Sequence, residues 1–220
     1  MPRYNKISDF FENPTIRNSY WAGFIAADGN INDKINAISI KLKSTDDIIL
    51  KKFQEDIGHD GQIYYYTERG KHSATLRINN AKTYFTHLEK HWNITARKSL
   101  TLLPPNLENE LALSYIVGYI DGDGYIGITK NNNCKTSKLE LTILGTEKLL
   151  SWIGNTLYEY ENKNLYIVSK ICCKGNYFRL SYISNRAYKI LKLLQDVETP
   201  FRLERKWNKI QEFEELYQNA

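Results

Sequence analysis

Ile116-Val117-Gly118-Tyr119-Ile120-Asp121-Gly122-Asp123-Gly124 is an apolar run that ends abruptly in acid and glycine. A near copy begins at Trp21: Trp21-Ala22-Gly23-Phe24-Ile25-Ala26-Ala27-Asp28-Gly29. Both copies place a small residue third, another seventh, Asp eighth and Gly ninth. Residues at i and i+4 share a helix face. Small residues there, Gly23 and Ala27 in one copy and Gly118 and Gly122 in the other, let two backbones approach closely. Two such helices can pack together as the interface between two halves of the chain.

Outward from the motifs, the chain repeats itself. Asn18 and Ser19 are the expected N-caps of the first motif helix, and Gly29 its expected stop. A hairpin follows over 30–43, turning at Asn32-Asp33-Lys34, in which Ile38, Ile40 and Leu42 alternate with Ser39, Lys41 and Lys43. A helix to about residue 57 is closed by Gly58; a second hairpin covers 62–68 and 73–79, and a helix covers 81–92. The second half gives the same order: a motif helix over 108–122, strands at 125–130 and 138–144, a helix from about 147 to 158, strands near 165–172 and 177–183, and a helix over 186–195. Ala96-Arg97-Lys98 matches Glu204-Arg205-Lys206. The pattern predicts an α+β chain of two pseudo-symmetric αββαββα half-domains. An N-terminal arm (1–16) precedes the first half (17–100). A linker (101–107) broken by Pro104-Pro105 leads into the second half (108–220).

The 220 residues are 42% hydrophobic, enough to bury a core, and no apolar run of about 18 residues suggests a membrane span. The N-terminus lacks a secretory pattern, and Cys134, Cys172 and Cys173 support neither a disulfide framework nor a zinc ribbon. An intracellular place, cytoplasm or organelle, is expected. The net charge of +5 is compatible with a polyanion partner without requiring one. His87 and His91 are four apart but lack the intervening order of a zinc protease, and Asp121-Gly122-Asp123-Gly124 lacks the later ligands of a calcium loop.

Asp28 and Asp123 fall at helix C-termini, where the helix dipole is negative and a carboxylate is unfavourably placed. Two such helices side by side bring two carboxylates together, which raises the strain. A divalent cation held by hard oxygen ligands, such as Mg²⁺, relieves it. Paired carboxylates with metal suit the hydrolysis of two phosphodiesters, one per strand.

At these residues the chain strongly resembles the LAGLIDADG homing endonucleases of the single-chain, two-motif type, over about residues 15–215. The second motif is a near-ideal match; the first departs at Trp21 and Ala26. The resemblance implies paired motif helices at the interface and antiparallel sheets forming a saddle over the DNA major groove. It implies that Asp28 and Asp123 bind the catalytic metals, with the carbonyls of Ala27 and Gly122 as further contacts. Mg²⁺ or Mn²⁺ would support cleavage, and Ca²⁺ would occupy the site without supporting it. Family members carry a basic residue in each half after the last helix, here Lys98 and Lys206. Lys43, whose repeat counterpart is read as Gly145, is a further candidate. The polar strand faces supply the expected DNA contacts. In the first half these are Ser39, Lys41, Gln62, Tyr64, Tyr66, Glu68, Ser73, Thr75 and Arg77, with Tyr65 competing for the same face. In the second half they are Thr129, Lys138, Glu140, Thr142, Tyr166, Lys170, Tyr177, Arg179 and Ser181. The expected activity is metal-dependent cleavage of both strands of a long, non-palindromic duplex by a monomer, leaving short 3′ overhangs. The alternatives are a maturase that binds intron RNA and a non-catalytic DNA-binding protein of the same fold.

Overall fold

The computed structural model describes residues 4–98, 101–130, 137–161, 168–170 and 178–218. Its order is α1 (Ile16–Asp28), β1 (Gly29–Asn32), β2 (Ala37–Lys43), a 3₁₀ turn (Ser44–Asp46), α2 (Asp47–Asp56), β3 (Ile63–Glu68), β4 (Lys71–Ile78) and α3 (Lys82–Trp92). The second half runs α4 (Asn109–Asp123), β5 (Gly124–Lys130), β6 (Ser137–Gly145), α5 (Glu147–Glu161), β7 (Val168–Lys170), β8 (Phe178–Ile183), α6 (Asn185–Gln195) and α7 (Glu204–Gln218). Each half carries an antiparallel sheet, in the orders β1-β2-β4-β3 and β5-β6-β8-β7. The alternation seen in sequence sets which face each sheet buries: Ile38, Ile40, Ala74, Leu76 and Ile78 in one half, and Leu139, Leu141, Ile143, Leu180 and Tyr182 in the other.

Helix α1 packs along α4 at the centre. A Cβ built on Gly23 would lie 2.0 Å from the carbonyl oxygen of Tyr115, and one on Gly118 would lie 1.9 Å from that of Tyr20. One on Gly122 would lie 2.4 Å from the Cβ of Ala27. The small residues are therefore required by backbone contact, and the two closest approaches are equivalent positions of the repeat.

Four expectations change. The first motif helix starts earlier than Asn18: Thr15 is the N-cap, and Asn18 closes a capping box with it. The Asn18 amide also donates to the carbonyls of Phe10 and Asn13, which ties the helix start to the arm. Secondly, Gly29 and Gly124 end their helices in extended backbone, with φ of −73° and −77°, so no left-handed stop is needed. Their need for glycine is steric, because a Cβ would lie 2.6 Å from the carbonyl oxygen of Ile25 or Ile120. Thirdly, α7 was not foreseen. It buries Trp207, Ile210 and Phe213 and packs against β5 and β6, and its short apolar stripe is set among charged residues.

Fourthly, the halves differ where the second strand joins the second helix. Ile40 faces Gly29 and Ile143 faces Gly124, so strand register pairs Lys43 with Thr146, not with Gly145. The buried Ile49, Leu50 and Phe53 of α2 correspond to Leu149, Leu150 and Ile153 of α5, so the helices align at a shorter spacing. The 3₁₀ turn Ser44–Asp46 makes up the difference as an insertion in the first half.

The arm docks on the first half. Ile7 N–H donates to the carbonyl of Ile57, Asn5 binds Asp60 through both backbone and amide, and Phe11 is buried edge-on against Tyr84 and Trp92.

Candidate active site

Asp28 and Asp123 are the last residues of α1 and α4, and the strands β1 and β5 begin immediately after them. The helix pair therefore delivers both carboxylates to the inner ends of the two sheets. A Cβ at Gly122 would lie 3.5 Å from Oδ2 of Asp28, so the first carboxylate leans against the end of the other motif helix. Burial and then the charge of Asp123 raise the Asp28 pKa to about 6. Asp123 keeps exposed surface, yet the protein packed around its carboxyl raises its pKa too, against the opposing pull of Lys98 and Lys206. In both acids the influences that favour the protonated form outweigh the pull of the two lysines.

Both lysines are buried beside them. Lys98 Nζ donates to the carbonyls of Ala26 (2.6 Å) and Ala27 (2.9 Å). Lys206 Nζ donates to the carbonyls of Ile120 (2.9 Å), Asp121 (2.8 Å) and Gly122 (2.8 Å). Each ammonium thus sits on carbonyl groups at the C-terminal end of its own motif helix, where a cation is favoured. Burial lowers both lysines to about 8, although the nearby carboxylates oppose it. The carbonyls expected to touch metal, those of Ala27 and Gly122, are among those the lysines occupy. A carbonyl oxygen has two lone pairs, so one bond leaves a second position open. Lys43 is exposed at the end of β2, and no hydrogen bond or ion pair joins it to either acid among the described residues.

Asp121, outside the predicted ligand set, is a structural acid. It is buried and accepts from Tyr20 Oη (2.6 Å), Trp207 Nε1 (2.7 Å) and the backbone N–H of Leu203 (3.1 Å). The motif departure at Trp21 has a similar logic, since its buried indole N–H donates to Asp56 on α2 at 2.7 Å.

On the first sheet, Ser39, Tyr64, Tyr66, Thr75 and Arg77 line one concavity of about 530 Å³. The parity of the tyrosine strand follows: Tyr65 pairs with buried Ala74 and its hydroxyl donates to Asp47 on α2, so it belongs to the helix side. Lys41, Glu68 and Ser73 lie together beyond, with Lys43, Arg69, Lys71 and His72. Gln62 is exposed just before β3. On the second sheet, Lys138, Glu140 and Thr142 lie opposite the buried Leu139, Leu141 and Ile143. Thr142 is hydrogen-bonded to Glu140 and Ser181, and Arg179 and Thr129 are exposed. Lys170 lies in β7, while Tyr166 and Tyr177 fall outside the described residues. Tyr4, Asn30 and Asn32 join the first concavity, and Tyr125 joins the second polar face; none was predicted. Asn30 pairs with Ser39 across the strands, so carrying the alternation back into β1 would have found it.

Among the described residues no group of three or more His, Cys, Asp and Glu side chains is placed to hold a metal ion by itself. The donors here are two carboxylates and backbone carbonyls, an oxygen-only set that fits Mg²⁺, Mn²⁺ or Ca²⁺ and not a transition-metal site of nitrogen or sulfur ligands.

Two antiparallel four-stranded sheets flanking a central helix pair that ends in two carboxylates form the LAGLIDADG homing-endonuclease fold. The I-LtrWI LAGLIDADG homing endonuclease bound to target DNA is similar to this chain with a TM-score of 0.63 at 10% identity, covering 97% of this chain and 92% of that one. The meganuclease I-SmaMI bound to uncleavable DNA gives 0.60 at 14% identity, over 94% and 91%. I-SmaMI bound to uncleaved target in the presence of calcium ions gives 0.59 at 12% identity, over 94% and 92%. No family model matches the sequence, and no curated protein matches it.

Proposed function

We propose that this chain is a site-specific DNA endonuclease of the homing type, a monomer that cuts both strands of a long, non-palindromic duplex and leaves short 3′ overhangs. The observation that carries this reading is the pair Asp28 and Asp123, brought together at the ends of two abutting helices where the two polar sheet faces meet. The differences between those faces favour a target without a palindrome, since equivalent strands present different side chains to the groove. The solved DNA complexes of the same fold favour duplex DNA over RNA as the partner.

Asp28, Asp123 and the carbonyls of Ala27 and Gly122 would hold Mg²⁺ or Mn²⁺. Bound there, the cation supplies Lewis-acid stabilisation of charge developing on the scissile phosphates. The chain's own part is positional. The small-residue contact fixes the separation of the two acids. Lys98 and Lys206 hold the helix ends and keep positive charge beside the place where phosphate negative charge grows. The polar sheet faces orient the duplex so that each strand meets one acid.

Selection of cleaved molecules from a library of random duplexes in Mg²⁺ tests the reading. The wild-type protein is expected to yield one long site, and the Asp28→Asn/Asp123→Asn double variant none. A protein that binds one duplex tightly yet cuts it with no divalent metal would be a DNA-binding protein only. Specific binding to a structured intron RNA in place of DNA would establish the maturase.

A further inference from the structure

The two sides of the acid pair are built differently. Beside Asp123 lies a cavity of about 320 Å³, lined by Ala27, Lys98, Tyr119, Asp123, Gly145 and Thr146 among others. Lys98 uses two of its three ammonium hydrogens on helix carbonyls, and the third is left for this cavity. On the other side Asp28 Oδ2 leans against Gly122, and Lys206, bound to the Gly122 carbonyl, spends all three hydrogens on carbonyls of α4. The inserted 3₁₀ turn of the first half adds Asp46 on this side only. Asp46 is buried and receives both Nε and Nη2 of Arg205 at 2.7 Å each. The pair joins the first half to the start of α7 in the second, next to Lys206.

The repeat shows what Asp46 gives up for this. Asp46 precedes α2 as Thr146 precedes α5. Thr146 Oγ1 accepts from Leu149 N–H and so caps its helix. Asp46 makes no such cap; its carboxylate turns across the interface instead. Arg97, the counterpart of Arg205, is exposed as Arg205 is, yet forms no ion pair among the described residues. A side-chain cap at a helix start is an ordinary stabilising bond, and α2 forgoes it for a contact between halves on one side.

We propose that Asp46 and Arg205 are a positioning pair that fixes the Asp28–Lys206 side alone and makes the two strand cuts inequivalent. This rests on the endonuclease reading above. Its role is positional: it sets where Lys206 and the end of α4 stand relative to Asp28. Small misplacements of positioned groups can slow chemistry by up to about a hundredfold.

The test uses a duplex recovered by cleavage selection, with each strand end-labelled separately, and two variants of the full chain. Asp46→Thr removes the ion pair and restores the cap that Thr146 makes; Arg205→Gln removes the pair from the other side. Both are expected to slow the same strand by about tenfold and leave the other within about twofold, so that a nicked duplex accumulates. Asp46→Thr is expected to melt close to the wild type, which separates positioning from loss of fold. Equal slowing of both strands, or no slowing in either variant, overturns the proposal. If the wild-type protein itself cuts neither strand of any duplex, the endonuclease reading falls and takes this one with it.

Discussion

Helices α1 and α4 end alike and are supported differently. Gly23 meets the Tyr115 carbonyl as Gly118 meets that of Tyr20, and Asp28 corresponds to Asp123. Behind these shared features the equivalence stops. At the sixth place α4 carries Asp121, bound by Tyr20, Trp207 and Leu203, while α1 carries the buried Ala26. Tyr20 therefore has a partner for its hydroxyl, whereas its counterpart Tyr115 has a buried hydroxyl with none among the described residues. The duplication has kept the parts that set the two acids and let each half find its own supports.

The largest effect is expected from breaking what the helices share. Gly118→Val, or Gly23→Val, puts a branched side chain where even a Cβ would lie about 2 Å from a backbone carbonyl. Neither helix can yield without separating the halves, so chemical denaturation should show a loss of more than about 4 kcal/mol, or no folded protein. Breaking what α4 alone carries should cost less. Asp121→Ala strands two buried donor side chains and one backbone N–H and is expected to lose about 3 kcal/mol. Ala26 carries no such side-chain bonds, so alanine is the native residue at one sixth place and a costly replacement at the other.

The smallest effect has the opposite sign. Asp28 has its pKa raised from 3.8 to about 6, so the folded chain holds that proton more tightly than the unfolded one. Without metal, its contribution should make stability fall as the pH rises from about 4 to about 6 and stay low above that. The lysines act on the other limb. Lowered to about 8, they release their protons earlier in the fold than in the unfolded chain, so stability should recover as the pH rises from about 8 to about 10.5. Asp28→Asn should therefore stabilise the metal-free protein at pH 7 by about 2 kcal/mol, measured by denaturation, while removing activity. A destabilised Asp28→Asn protein would mean that the carboxylate is satisfied within the fold.

The repeated order of elements was legible because period-two alternation in Ile38, Ile40 and Leu42, and again in Leu139, Leu141 and Ile143, points to one buried sheet face. The small residues at the third and seventh places of each motif pointed to the helix contact, because that spacing is a local signal even though the contact joins Gly23 to Tyr115 and Gly118 to Tyr20. The rest depends on contacts between distant segments. Nothing in Glu204–Gln218 outweighs its charged residues until a sheet is there to receive Trp207, Ile210 and Phe213. The lysines could be matched by repeat, but their position on helix-end carbonyls could not, because it depends on the path of the chain back to its own motif helix. The 3₁₀ turn was invisible for a similar reason: an insertion at Ser44–Asp46 shows only against the strand register and helix packing of the other half.

The central claim is that Asp28 and Asp123 are two halves of one hydrolytic centre. Its most direct test is the product formed from a supercoiled plasmid carrying the selected site, in Mg²⁺, by the wild type and by Asp28→Asn and Asp123→Asn singly. The wild type should give linear DNA and neither variant any; linear DNA from either single variant, at the wild-type rate, would contradict it.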